Sequence, residues 1–91
     1  MSLTSNHHET AIGEITIAVT ATTGLVHATW SLLIGGGVAD TATASGDFRL
    51  RGVLPDGSTV TADIHQSLLG TSTAVVSHDG REVESFTGFV L

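Results

Sequence analysis

Ninety-one residues make one domain at the small end of what folds alone, and with no cysteine in the chain neither disulfides nor thiolate metal sites can reinforce a thin core. A formal charge of −6, with three arginines and no lysine, leaves no basic surface for a phosphate backbone or an anionic bilayer, so neither nucleic acid nor membrane is an expected partner. No apolar run approaches the ~20 residues that a helical membrane span needs.

Met1 to Glu9 is polar and lacks both the basic and the apolar stretch of a secretory leader, which makes the cytoplasm the default compartment. Residues 1–10 read as a flexible tail, with His7-His8 as polar surface, and residues 11–91 as a single all-β domain. Beyond the tail the chain alternates with period two, the mark of half-buried strands, and sustains no helical stripe. The alternation predicts strands at Glu14–Ala21, Leu25–Ile34, Asp40–Arg51, Ser58–Gln66, Gly70–Ser77 and Arg81–Leu91, with room for a helical turn at Gln66–Leu69.

Turn chemistry proposes a register. A turn at Thr22-Thr23 sets Val19 against Val26, Ile17 against Ala28 and Ile15 against Trp30. Gly35-Gly36-Gly37 then turns the second strand into the third and brings Trp30 near Ala42. Pro55-Asp56-Gly57 suits a three-residue hairpin loop, with Pro presetting φ and Gly taking the left-handed position. Closing it pairs Leu54 with Ser58, Leu50 with Ala62 and Phe48 with Ile64, while Arg51 meets Thr61, Arg49 meets Asp63 and Asp47 meets His65. Asp79-Gly80 suits a two-residue type I′ turn that pairs Val76 with Val83 and Ala74 with Ser85. The expected fold is a six-stranded antiparallel meander forming a small barrel or a compact sandwich. Its inward face collects Ile17, Val19, Val26, Trp30, Leu32, Leu50, Ile64, Val76, Val83 and Phe89 among others.

The last strand is unusual, because Ser85 to Leu91 carries no charge and is apolar on both faces. Such a strand either closes a barrel or packs against another copy of the chain. In the proposed register Leu25, Leu33, Val75, Phe86 and Val90 fall on the outer face, where they predict an apolar interface and a homo-oligomer. The alternative is that the alternation slips at a bulge and these residues belong to the core.

Asp47, Arg49, Asp63 and His65 share one face of adjacent strands and are the candidate catalytic set. Asp47 would orient His65 as a general base or acid, and Arg49 would stabilise a developing anion. The favoured reading of the same residues is ordinary cross-strand ion pairs of a solvated sheet, because the alternation puts this face outside rather than around a cavity. Asp63 and His65, with His27 as a third ligand, do not make a clustered metal spacing, and no metal is expected. Trp30 among the small residues Ala42, Ala44 and Gly46 is the candidate lining of a small-molecule cavity. Thr-x-Thr at residues 20–22, 41–43, 59–61 and 71–73 raises an ordered-water surface, which a twisted sheet opposes. His78-Asp79 is expected only to shape its turn. No nucleophile elbow and no phosphate loop are present, and no cofactor is expected. The leading functional expectation is a non-enzymatic β domain that binds or self-assembles through its C-terminal strand. A small-molecule-binding barrel, or a small hydrolase, lyase or cyclase using the Asp-His-Arg cluster, are the alternatives.

Overall fold

Alternation of Thr, Val, Ile and Ala with outward polar residues gives each strand one face to bury, and two such faces must meet to exclude water. The computed structural model describes residues 5–66 and 72–89. The strands run β1 (Ser5–Ile12), β2 (Ile15–Thr22), β3 (Thr29–Ile34), β4 (Gly37–Thr43), β5 (Phe48–Val53), β6 (Thr59–His65), β7 (Ser72–His78) and β8 (Arg81–Phe89). They make two antiparallel sheets of four, ordered β1-β2-β3-β4 and β5-β6-β7-β8. The expected meander therefore survives within each sheet, but there are eight strands rather than six, in two layers and without a closed barrel.

The two additional strands have separate causes. The long strand expected over 40–51 breaks at Ala44–Asp47, where Gly46 takes a φ of 78° and the chain leaves one sheet for the other. Residues 5–10, expected in a tail, belong to β1, which pairs along its whole length with β2 from Ser5↔Thr22 to Ile12↔Ile15. Alternation cannot reveal β1, because the residues opposite buried Ala21, Val19 and Ile17 are Asn6, His8 and Thr10. The strand is held by its main-chain ladder and by the His8 ring, which lies 5.5 Å from Phe86 and 4.4 Å from Phe89 across the sandwich.

Register follows turn chemistry where the turn is tight. The expected pairings across Pro55-Asp56-Gly57 are present from Leu54 and Ser58 to Phe48↔Ile64, and just beyond the ladder Asp47 meets His65 through their side chains. Trp30 pairs with Ala42 across the glycine turn. The first hairpin differs: its loop covers residues 23–28, so Val19 meets Leu32 and Ala21 meets Trp30. The shift is by an even number of residues, so Trp30 still faces inward while Val26, expected in the core, is exposed. Asp79-Gly80 forms the expected turn with φ of 49° and 84°. A register shift between Val76 and Ser77 then moves Val76 onto Glu84 and Ala74 onto Phe86. That one-residue slip turns Phe86 inward, at 7% exposure, and Val83 outward at 39%. A second shift opposite Gly88, whose φ is 87°, brings Phe89 inward as well, so two phenylalanines three residues apart both enter the core.

The layers meet through Trp30 of the first sheet and Phe89 of the second, edge to face at 4.8 Å, with Ile17, Val19 and Leu32 facing Leu50, Val60, Ile64 and Val76 across the same core. On the β4/β5 side the sheets close tightly: the Asp40 carboxylate accepts from the Arg51 backbone N–H at 3.0 Å, and Gly52 lies against Ile34 and Ala39. A Cβ at Gly52 would stand 2.5 Å from Ile34 Cδ1 and 2.8 Å from Ala39 Cβ. Gly52→Ala is therefore expected to cost about 1–3 kcal/mol in urea denaturation through overpacking, and Ala39→Gly in the same chain is expected to restore most of it.

Candidate functional site

The tight β5–β6 hairpin brings the four candidate catalytic residues together on the outer face of the second sheet. Arg49 Nε donates to Asp63 Oδ1 at 2.6 Å and Nη2 to Oδ2 at 3.4 Å. One rung away, His65 Nδ1 lies 2.8 Å from Asp47 Oδ1. Asp63 raises the Arg49 pKa further above its already high ordinary value, first by hydrogen bonding and then by charge. With Phe48, Ile64 and Val75 these groups line an open depression of about 410 Å³. The His65 and Asp47 side chains are 65% and 66% exposed, so water screens both pairs. Arg49 is engaged by Asp63, and the four residues form two solvated cross-strand pairs.

The candidate cavity residues converge on a filled core position. Trp30 is fully buried, its indole Nε1–H donates to Gln66 Oε1 at 3.2 Å, and the Gln66 amide donates to the carbonyls of Ala44 and Gly46, each at 3.0 Å. Gln66 thus ties the indole to the loop that carries the chain between sheets, while Phe89 covers the ring. Ala42 packs opposite Trp30 as the small partner the indole requires.

Among the described residues, those of the expected interface patch do not share one surface. Leu25 stands fully exposed in the β2–β3 loop, Leu33 is half-buried on the outer face of the first sheet, and Val75 is half-buried on the outer face of the second. These two faces look away from each other across the sandwich, and Phe86 lies in the core between them. Val90 lies outside the described residues, as do Leu68, Leu69 and Thr71.

His27 sits in the exposed β2–β3 loop, on the other sheet from Asp63 and His65. Among the described residues no three His, Asp or Glu side chains gather in a metal-holding group. The threonine rows are in register on the outer face of the first sheet, Thr22–Thr29–Thr43 beside Thr20–Ser31–Thr41. Their hydroxyls bond one another, with Thr29 and Thr43 2.7 Å apart and Ser31 and Thr41 3.0 Å apart, and Thr41 donates to the Trp30 carbonyl. These hydroxyls thus use part of their hydrogen-bonding capacity within the sheet.

One polar chain was not legible as a unit. Asp56 accepts from the Ser58 backbone N–H at 2.9 Å and from Ser58 Oγ at 2.5 Å, and His78 Nε2 lies 2.8 Å from the same Oγ. The local half is an Asx-turn of the Pro-Asp-Gly-Ser loop, but the His78 contact spans two hairpins. Its order is Asp–Ser–His, with the serine in the middle. An ionised carboxylate only accepts, so the hydroxyl proton points to Asp56 and His78 Nε2 must be the donor. A nucleophilic serine needs the reverse, with imidazole receiving its proton. Asp79, at φ 49°, accepts from the Thr59 N–H at 2.8 Å and donates its own N–H to the Thr59 carbonyl, extending the β6–β7 ladder into the turn.

No protein-family model matches this chain, and neither a curated protein nor a solved structure matches it. Among the described residues no helix is long and apolar enough to cross a membrane.

Two outcomes test these contacts. Gln66→Leu leaves the buried Trp30 N–H without a partner and is expected to cost about 1–3 kcal/mol in urea denaturation. The Ser58 hydroxyl and then its backbone N–H hold the Asp56 carboxyl below its ordinary range. A depressed folded-state pKa contributes stability that is present above the unfolded value of about 3.9 and is lost as pH falls through the folded value. Ser58→Ala is expected to return the Asp56 pKa toward that unfolded value in a carbon-detected NMR titration, moving acid unfolding to higher pH.

Proposed function

We propose that this chain is a small non-enzymatic β-sandwich that works by binding and self-assembly, as a homo-oligomer joined along the seam where its C-terminal strand β8 meets β1. The observation that supports this reading is the inequality of the two seams. On the β4/β5 side the edge is sealed by Asp40 and by the close approach at Gly52. Among the described residues no ladder joins the strands at either seam, and on the β1/β8 side the rings of His8, Phe86 and Phe89 meet instead of a close main-chain approach.

Unpaired strand edges are templates for another chain. Arg81, Glu82 and Glu84 put charge on the first half of β8, whereas Ser85 to Phe89 is uncharged. With Phe86 turned inward, an assembly contact here uses main-chain hydrogen bonding rather than an apolar patch. Leu25 and Val26, at 106% and 82% exposure on the β2–β3 loop, support a binding role in addition. The depression beside Arg49 and Asp63 supports a small-molecule reading as the alternative.

Native mass spectrometry of gently purified protein decides between these. A multiple of the 9.3 kDa chain mass with nothing added is the expected result. A bare monomer at every concentration overturns the assembly reading, and a monomer with a reproducible extra mass replaces it with ligand binding.

A further inference from the structure

β1 and the slot it fills are chemically mismatched. The inward side chains of the strand are Asn6, His8, Thr10 and Ile12, three of them polar and none fully buried. What they cover is apolar: Ile17, Val19 and Ala21 of β2, and Phe86 and Phe89 of β8 across the sandwich. β1 therefore brings little apolar surface of its own to hold it in place, while its departure would expose the edge of β2 and two phenylalanine rings. Edge strands with few buried contacts open at low cost compared with the core. An opened slot of this composition does not stay empty in water.

The segment that fits it best is the same segment of a second chain. Every hydrogen bond and ring contact that β1 makes within its own chain can be made identically between chains. The link between β1 and β2 is only Gly13 and Glu14, and Gly13 holds a φ of 62° to make the turn. In an exchanged pair this turn opens, β1 runs on into β2, and Gly13 is released from the left-handed region. The hinge is short enough that, opened, it carries β1 straight out along β2 toward a second chain.

We propose that copies of this chain assemble by exchanging β1, each chain laying residues 5–12 along β2 of its partner and stacking its His8 on the partner's Phe86 and Phe89. This rests on the self-assembly reading above and names how the copies are joined.

The test uses a cross-strand disulfide in a chain that has no other thiol. His7 and Thr20 are register partners on the outer face of the first sheet, and directly opposed antiparallel residues lie within disulfide reach. In the double variant His7→Cys/Thr20→Cys, oxidised after folding, exchange predicts a reducible species of two chains in denaturing electrophoresis. Its share rises with the protein concentration at refolding, and each single-cysteine variant gives far less of it. Ala11→Cys/Thr16→Cys, a second outward register pair, gives the same readout should the first variant fail to fold. An oligomer by native mass spectrometry whose disulfides all lie within single chains overturns the exchange and leaves self-assembly standing. A monomer with disulfides within the chain overturns both.

Discussion

Trp30 and Phe89 meet edge to face at 4.8 Å, one from each sheet, and the arrangement of the sandwich turns on that contact. A chain of this size has few large side chains to spend, with one tryptophan, three phenylalanines and no tyrosine. Two of its four aromatic residues are used in this contact, and Phe86 joins them in the same core. The remaining core is aliphatic and mostly small, so the layers are held by shape at the aromatic pair and by area elsewhere. The polar end of the indole is satisfied by Gln66, which also fixes the loop that carries the chain between sheets. Packing and connectivity are joined in that one side chain.

From this contact the two sides of the sandwich diverge. At β4/β5 the chain passes directly from one sheet to the other through a short loop, so the edges are forced together and a glycine is needed where they touch. At β1/β8 the first and last strands face each other across the sandwich with no ladder between them. The gap is spanned by an imidazole lying on two phenyl rings. An edge covered by side chains but not sealed by a ladder is the natural place for a second chain to enter.

The polar clusters lie outside this framework, and their chemistry follows from that position. Arg49 with Asp63 and His65 with Asp47 sit on a solvated face, where each charge finds an opposite partner and water remains the main solvent. Catalysis by such groups depends on exclusion of water and on a free, correctly oriented base. The Asp56–Ser58–His78 chain has the residue types of a hydrolase but the order of a turn brace. In both clusters the contacts join neighbouring strands and turns.

Much of this architecture was legible in the sequence wherever the determining forces were local. The Pro55-Asp56-Gly57 and Asp79-Gly80 turns, the glycine turn after β3 and the whole β5–β6 register follow from φ preferences and strict alternation, which act over a few residues. The cross-strand cluster Asp47, Arg49, Asp63 and His65 was legible for the same reason. Three features were decided only by the tertiary structure. β1 has no apolar alternation, because its inner face is completed by aromatic rings contributed from β8, more than seventy residues away. The division into two sheets depends on whether opposite apolar faces can meet, a property of the assembled chain and not of any strand. The inward turn of Phe86 results from a bulge, and a single inserted residue reverses every side chain beyond it. Alternation carries no marker for such a slip when the strand is apolar on both faces, and the choice falls to whichever face the rest of the protein can bury.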